Sequence, residues 1–224
     1  MKNPLSLATL CAVLLSMTAT PVLADAKDHV GMDPSAEKHT NMAPAVSNAH
    51  KHMNHVATSR KGTPDGRGYL PVAMDEAKIA IIHAGKALNS PYKLNKIKAH
   101  TRHVMHAIDP SVQNDGPGLG FGVKQAAMGI VTHIGNAAKS MDASANIKDH
   151  APGVAAGAQN AIERSDKLLA HAQSVLKSSN PTAAMDHAKE VLKIAKEIVD
   201  GDMGMPGLAS SADHLHAMQR GEEG

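Results

Sequence analysis

The chain carries 15 histidines and 13 methionines against one cysteine and three aromatic residues, Tyr69, Tyr92 and Phe121. Imidazole and thioether are borderline and soft donors, so their abundance points to transition-metal ions before any motif is read. The densest cluster is HKHMNH at 50–55. Its His50 and Met53 complete a series of three H-x-x-M motifs that begins with His29 and Met32 and continues with His39 and Met42. His52 and His55 add an H-x-x-H. Donors three residues apart become neighbours when the segment curls into a helical turn, so such a pair can close on one ion. Imidazole with thioether suits Cu(I) or Ag(I), and imidazole also accepts Cu(II), Ni(II) or Zn(II).

A second set of histidines lies in a repeat. An offset of 50 residues places IIHAGKALNS (81–90) over VTHIGNAAKS (131–140) and IKAHTRHV (97–104) over IKDHAPGV (147–154). His83 then matches His133, and His100 matches His150; a weaker third copy carries His171 and His187. Residues equidistant from an antiparallel turn face each other across the two helices. The midpoints of His83/His100, His133/His150 and His171/His187 fall on the NSPY, MDAS and SSNP turns, so each pair is expected to stand level across its own hairpin. His187 lies within an apolar stripe, His133 and His150 at stripe edges, and His171 further off. His100, His103 and His106 spiral from the apolar edge to the opposite face, with His103 kept as a candidate ligand and His106 expected in solvent. Asp149, Asp186 and Glu190 are close enough to orient the rings or to ligate. A facing pair can hold either a metal ion or a b-type haem.

The elements that must position these residues are helices. Ala-rich segments alternate with strong breakers, which places helices at about 71–89, 92–108, 119–141, 144–177 and 182–199, with a short one near 208–219. Val123, Ala126, Ala127, Ile130, Ile134, Ala137 and Met141 form one stripe at helical spacing. Pro152 and Gly153 are expected to kink the fourth helix or split off its first turns. No run alternates in the manner of a strand. The expectation is an all-α fold: a small antiparallel bundle of four to five helices over 71–200, built on a duplicated helical hairpin. A disordered His/Met-rich arm and linker cover 25–70, and 201–224 form a C-terminal tail with a short helix.

Lys2, the apolar run Leu5–Met17 and the small residues before Asp25 have the layout of a signal peptide over 1–24, so export to a periplasm and no membrane insertion after cleavage are expected. The only cysteine, Cys11, lies within that segment, which excludes disulfides, thiolate cages, iron–sulfur clusters and C-x-x-C-H haem attachment from residues 25–224. Charge is nearly balanced, 23 Lys+Arg against 21 Asp+Glu, and there is no stacking platform, so nucleic acid is not an expected partner. GPGLGFG (116–122) follows no strand and precedes no Lys-Ser/Thr, so it is not a phosphate loop, and DGDMGMPG (200–207) lacks the glycine and glutamate of a calcium loop. The bundle has no E-x-x-H pairs for ferritin-type iron chemistry.

The H-x-x-M series resembles the periplasmic silver- and copper-buffering proteins, whose chains carry repeated H-x-x-M and M-x-x-H motifs and fold around the metal. The resemblance covers residues 29–55 only and implicates His29, Met32, His39, Met42, His50 and Met53. Taken together, these features describe a periplasmic metal-binding protein and not an enzyme. It would capture copper, or silver, nickel or zinc, for storage, detoxification or delivery to a periplasmic metal transporter or chaperone. Two alternatives stay open: a bundle cytochrome with haem b held by a histidine pair, and a helical envelope protein without a ligand.

Overall fold

The structure, a computed structural model, describes residues 47–223. Seven α-helices follow in order: α1 (Asn48–Ala57), α2 (Tyr69–Leu88), α3 (Leu94–Ile108), α4 (Val123–Lys139), α5 (Ala145–Lys177), α6 (Pro181–Asp200) and α7 (Leu208–Glu222). Among the described residues there is no strand, only two isolated bridges, Ser59 with Arg67 and Asp202 with Met205. No helix among them is long and apolar enough to cross a membrane. The expected all-α bundle is present, with more helices than the four to five expected.

The central element is α5, 33 residues long, about 50 Å at 1.5 Å per residue. It remains one helix through Pro152 instead of splitting. The proline removes one backbone hydrogen bond, but Ser144 caps the N-terminus by accepting from Ile147 N, and packed neighbours hold the flanking turns. α7 lies along the first half of α5, where Ser211 Oγ donates to Val154 O (2.8 Å) and Asn146 Nδ2 donates to Met218 O (2.8 Å). α6 returns along the second half after Asn180 caps it and Pro181 opens it. The α2–α3 hairpin meets this second half, and Ala87, Ile97, Val175, Ala184 and Ala188 form a small core of their own there.

Two parts of the expected domain plan are corrected. Residues 48–57, placed in the disordered arm, form α1, whose Ala49, Met53 and Val56 are buried in the main core. Ser47 and the Asp142 carboxylate cap this helix, the latter accepting from Asn48 N (2.7 Å) and Ala49 N (3.2 Å). An isolated ten-residue helix is marginal in water, so α1 exists because it docks. The short helix expected near 208–219 is present as α7, but it is part of the bundle and not of a tail, since it buries Leu208, Leu215 and Met218. The rest of the expected arm, 25–46, and the expected signal peptide lie outside the described residues.

The glycine-rich segment before α4 has a structural job. Glu76 of α2 is fully buried, and its Oε1 accepts from Phe121 N (2.9 Å) and Gly122 N (3.0 Å). Gly122, with φ +83°, turns the chain into α4. Arg164 of α5 does the same for the DGDMGMPG loop, donating to Pro206 O and Asp202 Oδ1.

Candidate metal centres

Two groups of three histidines converge. One joins His52 and His55 of α1 to His133 of α4; the other joins His100 and His103 of α3 to His83 of α2. Each combines an H-x-x-H pair from one helix with a single histidine from an antiparallel neighbour. His133 Nδ1 lies 2.9 Å from His52 Nδ1 and 3.2 Å from His55 Nδ1. His83 Nδ1 lies 3.2 Å from His100 Nδ1 and 3.1 Å from His103 Nδ1. The rings repeat too. The first ring of each H-x-x-H is tilted by 38° or 43° to the central ring, and the second stands edge-on at 85° in both.

Hydrogen bonding alone does not satisfy such a group. An Nδ1 carries either one proton or one lone pair, so a central Nδ1 makes one good hydrogen bond and leaves the Nδ1 of its second neighbour without a partner in the group. A cation uses all three lone pairs at once. Metal–nitrogen bonds of about 2.0–2.1 Å at tetrahedral angles place donor atoms roughly 3.3–3.4 Å apart. The central contacts, 2.9–3.2 Å, approach that edge length, and all three donors of each group lie within 4.8 Å of one another. A four-coordinate ion held by three imidazoles would take its fourth ligand from water or a partner.

The charge state favours ligation. Burial, then His103, Lys86 and His100, push His83 down to about 4; burial, then His55, His52 and Arg60, push His133 down to about 4. Burial also lowers His55, with help from Arg60, and His100, with help from His103. At neutral pH these four rings are uncharged, as a metal requires. Tyr69 stacks on His133 with centroids 5.4 Å apart and accepts at its hydroxyl from Arg60 Nε (3.3 Å). Gly129, one turn before His133, makes room for that ring, since a Cβ there would stand 2.5 Å from it.

Two of the expected hairpin pairs form. His83 meets His100, and His171 Nδ1 lies 3.3 Å from His187 Nδ1. The His133/His150 pair does not. His133 turns to α1, and His150 Nδ1 lies 3.4 Å from His214 Nδ1 of α7. Both residues sit at the edge of a buried stripe (Ile130, Ile134 and Ala137 on α4; Ile147, Ala151 and Val154 on α5), so a third helix on each flank captures them. His106, expected in solvent, is 7% exposed because the 109–122 segment folds back over it; its Nδ1 lies 2.9 Å from Gln113 O.

The H-x-x-M motif at 50–53 is taken apart by the fold. Met53 is buried at 4% exposure in the core, while His50 Nε2 lies 3.0 Å from Glu222 Oε2. His29, Met32, His39 and Met42 lie outside the described residues. His214 escaped the sequence reading because the short helix that carries it was placed outside the bundle. The His52/His55/His133 group had a legible signal: H-x-x-H-V occurs at 52–56 and again at 100–104.

A haem is not what the pairs are shaped for. Axial imidazoles stand on opposite faces of an iron with a porphyrin between them, whereas His83 and His100 nitrogens are 3.2 Å apart and share a third histidine. Comparison with known proteins identifies no relative: no family model, no curated protein and no solved structure matches the chain.

Proposed function

We propose that the protein binds copper-like ions at the two histidine triads, one ion at each, and serves in the cell envelope for capture, storage or delivery of the metal and not for catalysis. The observation that carries this reading is the repetition of one three-imidazole arrangement on two different helix pairs, α1 with α4 and α2 with α3, with matching distances and ring angles. Three imidazoles, with a fourth ligand supplied by water or a partner, suit Cu(I), Cu(II), Zn(II) and Ni(II). The H-x-x-M motifs at 29–42 favour copper among them, and the signal-like segment before Asp25 supports export. Delivery to a periplasmic transporter or chaperone is part of the proposal, the fourth position being where a partner's ligand would enter.

The test is the number of ions retained after copper loading and desalting, counted by native mass spectrometry. His83→Ala and His133→Ala should each lose one ion and the double variant two. Retention of the wild-type count in the double variant would overturn the reading.

A further inference from the structure

The two triads are part of a larger pattern. In each, the first histidine of H-x-x-H is framed by buried residues three before, one after and four after it: Ala49, Met53 and Val56 around His52, and Ile97, Thr101 and Val104 around His100. His187 on α6 has the same frame, with Ala184, Ala188 and Val191 all buried. Its partner His171 is framed by Leu168, Ala172 and Val175, as His83 is by Ala80, Ala84 and Ala87. The pair geometry follows, with Nδ1 atoms 3.3 Å apart and rings tilted by 53°. The α5–α6 hairpin therefore repeats the histidine pair of the α2–α3 arrangement. Among the described residues only the two triads bring three donor atoms within 4.8 Å of one another, so a third donor here would have to swing in when an ion binds. The position that carries His103 in α3, three residues after the first histidine, carries Glu190 in α6.

We propose that His171, His187 and Glu190 form a third metal site, of two imidazoles and one carboxylate, for a borderline divalent ion such as Zn(II). The proposal rests on the triads being metal sites. A glutamate side chain reaches at least as far from the backbone as an imidazole, and at this register it starts from the same side of the helix as His103 does. Glu190 is exposed, and no hydrogen bond or ion pair among the described residues engages its carboxylate, so nothing in the protein competes with an ion for it. The nearer acid in sequence, Asp186, is held by Lys189 at 2.9 Å. Two histidines and a glutamate are a donor set that zinc accepts, and the hard carboxylate disfavours Cu(I). A fourth copy marks where the pattern stops. His150 keeps the frame of Ile147, Ala151 and Val154, but its third position is Gly153, and a Cβ there would stand 2.4 Å from the His214 ring. That pair has two imidazoles and no third donor from the helix.

Full-length chain loaded with Zn(II) tests the site, with bound ions counted by native mass spectrometry and affinities measured against a competing chelator. His187→Ala should bind one ion fewer than wild type. Glu190→Gln should weaken one ion at least tenfold while leaving the melting temperature of the metal-free protein unchanged, as befits an exposed side chain. Wild-type counts and affinities in both variants, with His133→Ala still losing one ion, would overturn the third site and leave the triads standing. An unchanged count in His133→Ala as well would instead remove the metal reading on which the proposal rests. Loss of an ion in His187→Ala with no effect of Glu190→Gln would overturn the glutamate as ligand.

Discussion

Lowering the pH from 7.5 to 5.5 should release metal from the triads far less readily than from three free imidazoles. An imidazole with the ordinary pKa of 6.5 is about 90% protonated at pH 5.5, and each such ligand costs about tenfold in affinity, about a thousandfold for three. His83 and His133, held at about 4 chiefly by burial, are about 3% protonated at that pH and contribute almost no loss. The lowered His55 and His100 also lose less than their full tenfold. The triad ions should therefore weaken by less than about a hundredfold between the two pH values. Competition with a chelator of known proton affinity measures this, the triad ions being those absent from the His83→Ala/His133→Ala double variant. A thousandfold weakening would refute the argument, because it would show that burial does not keep the central rings neutral. The same shifts act on the metal-free fold. Both folded pKa values lie below the unfolded one, so acid protonates the unfolded chain first. Their stabilisation is complete above about pH 6.5 and is lost as pH falls towards 4, about 1–2 kcal/mol per ring once part exposure is allowed for. Urea midpoints across that range follow it.

Three further outcomes are expected. Removing residues 25–46 should leave both triad ions in place, whereas removing 25–66 should delete α1, lose the ion at His133 and lower stability; equal metal counts from the two truncations would contradict the first triad. Met53→Leu should retain every triad ion and change stability by less than about 1.5 kcal/mol, while Met53→Ala should cost about 2–5 kcal/mol, as for a core residue and not a thioether ligand. His106→Ala should lose no ion yet destabilise by about 1–3 kcal/mol, because it leaves Gln113 O without its buried partner and opens a gap under Gly116, which chemical denaturation would measure.

Much of the fold is local and was legible. The breakers NSP, SSNP and DGDMGMPG end helices by removing donors or requiring conformations that helices exclude, so the boundaries of α2, α3, α5 and α6 agree with the sequence reading to within a few residues. Antiparallel geometry at 1.5 Å per residue was enough to bring His83 level with His100, and His171 level with His187, since each pair is separated only by its own tight turn.

The remaining contacts depend on elements far apart in the chain. α1 has too little apolar surface to announce itself among polar neighbours, and it becomes a helix only when Ala49, Met53 and Val56 enter the core and Asp142 caps its first amides. His52 and His55 reach His133 across about 80 residues of sequence, and His150 reaches His214 across 64. Helical periodicity says that His133 and His150 lie at the edge of a stripe. It cannot say which helix will cover that edge, because an edge is shared between the partner a hairpin supplies and any helix that packs beside it. The donor types and their spacing were set by the sequence; that His133 meets His52 and His55, and that His150 meets His214, was decided by α1 and α7 closing on the flanks of α4 and α5.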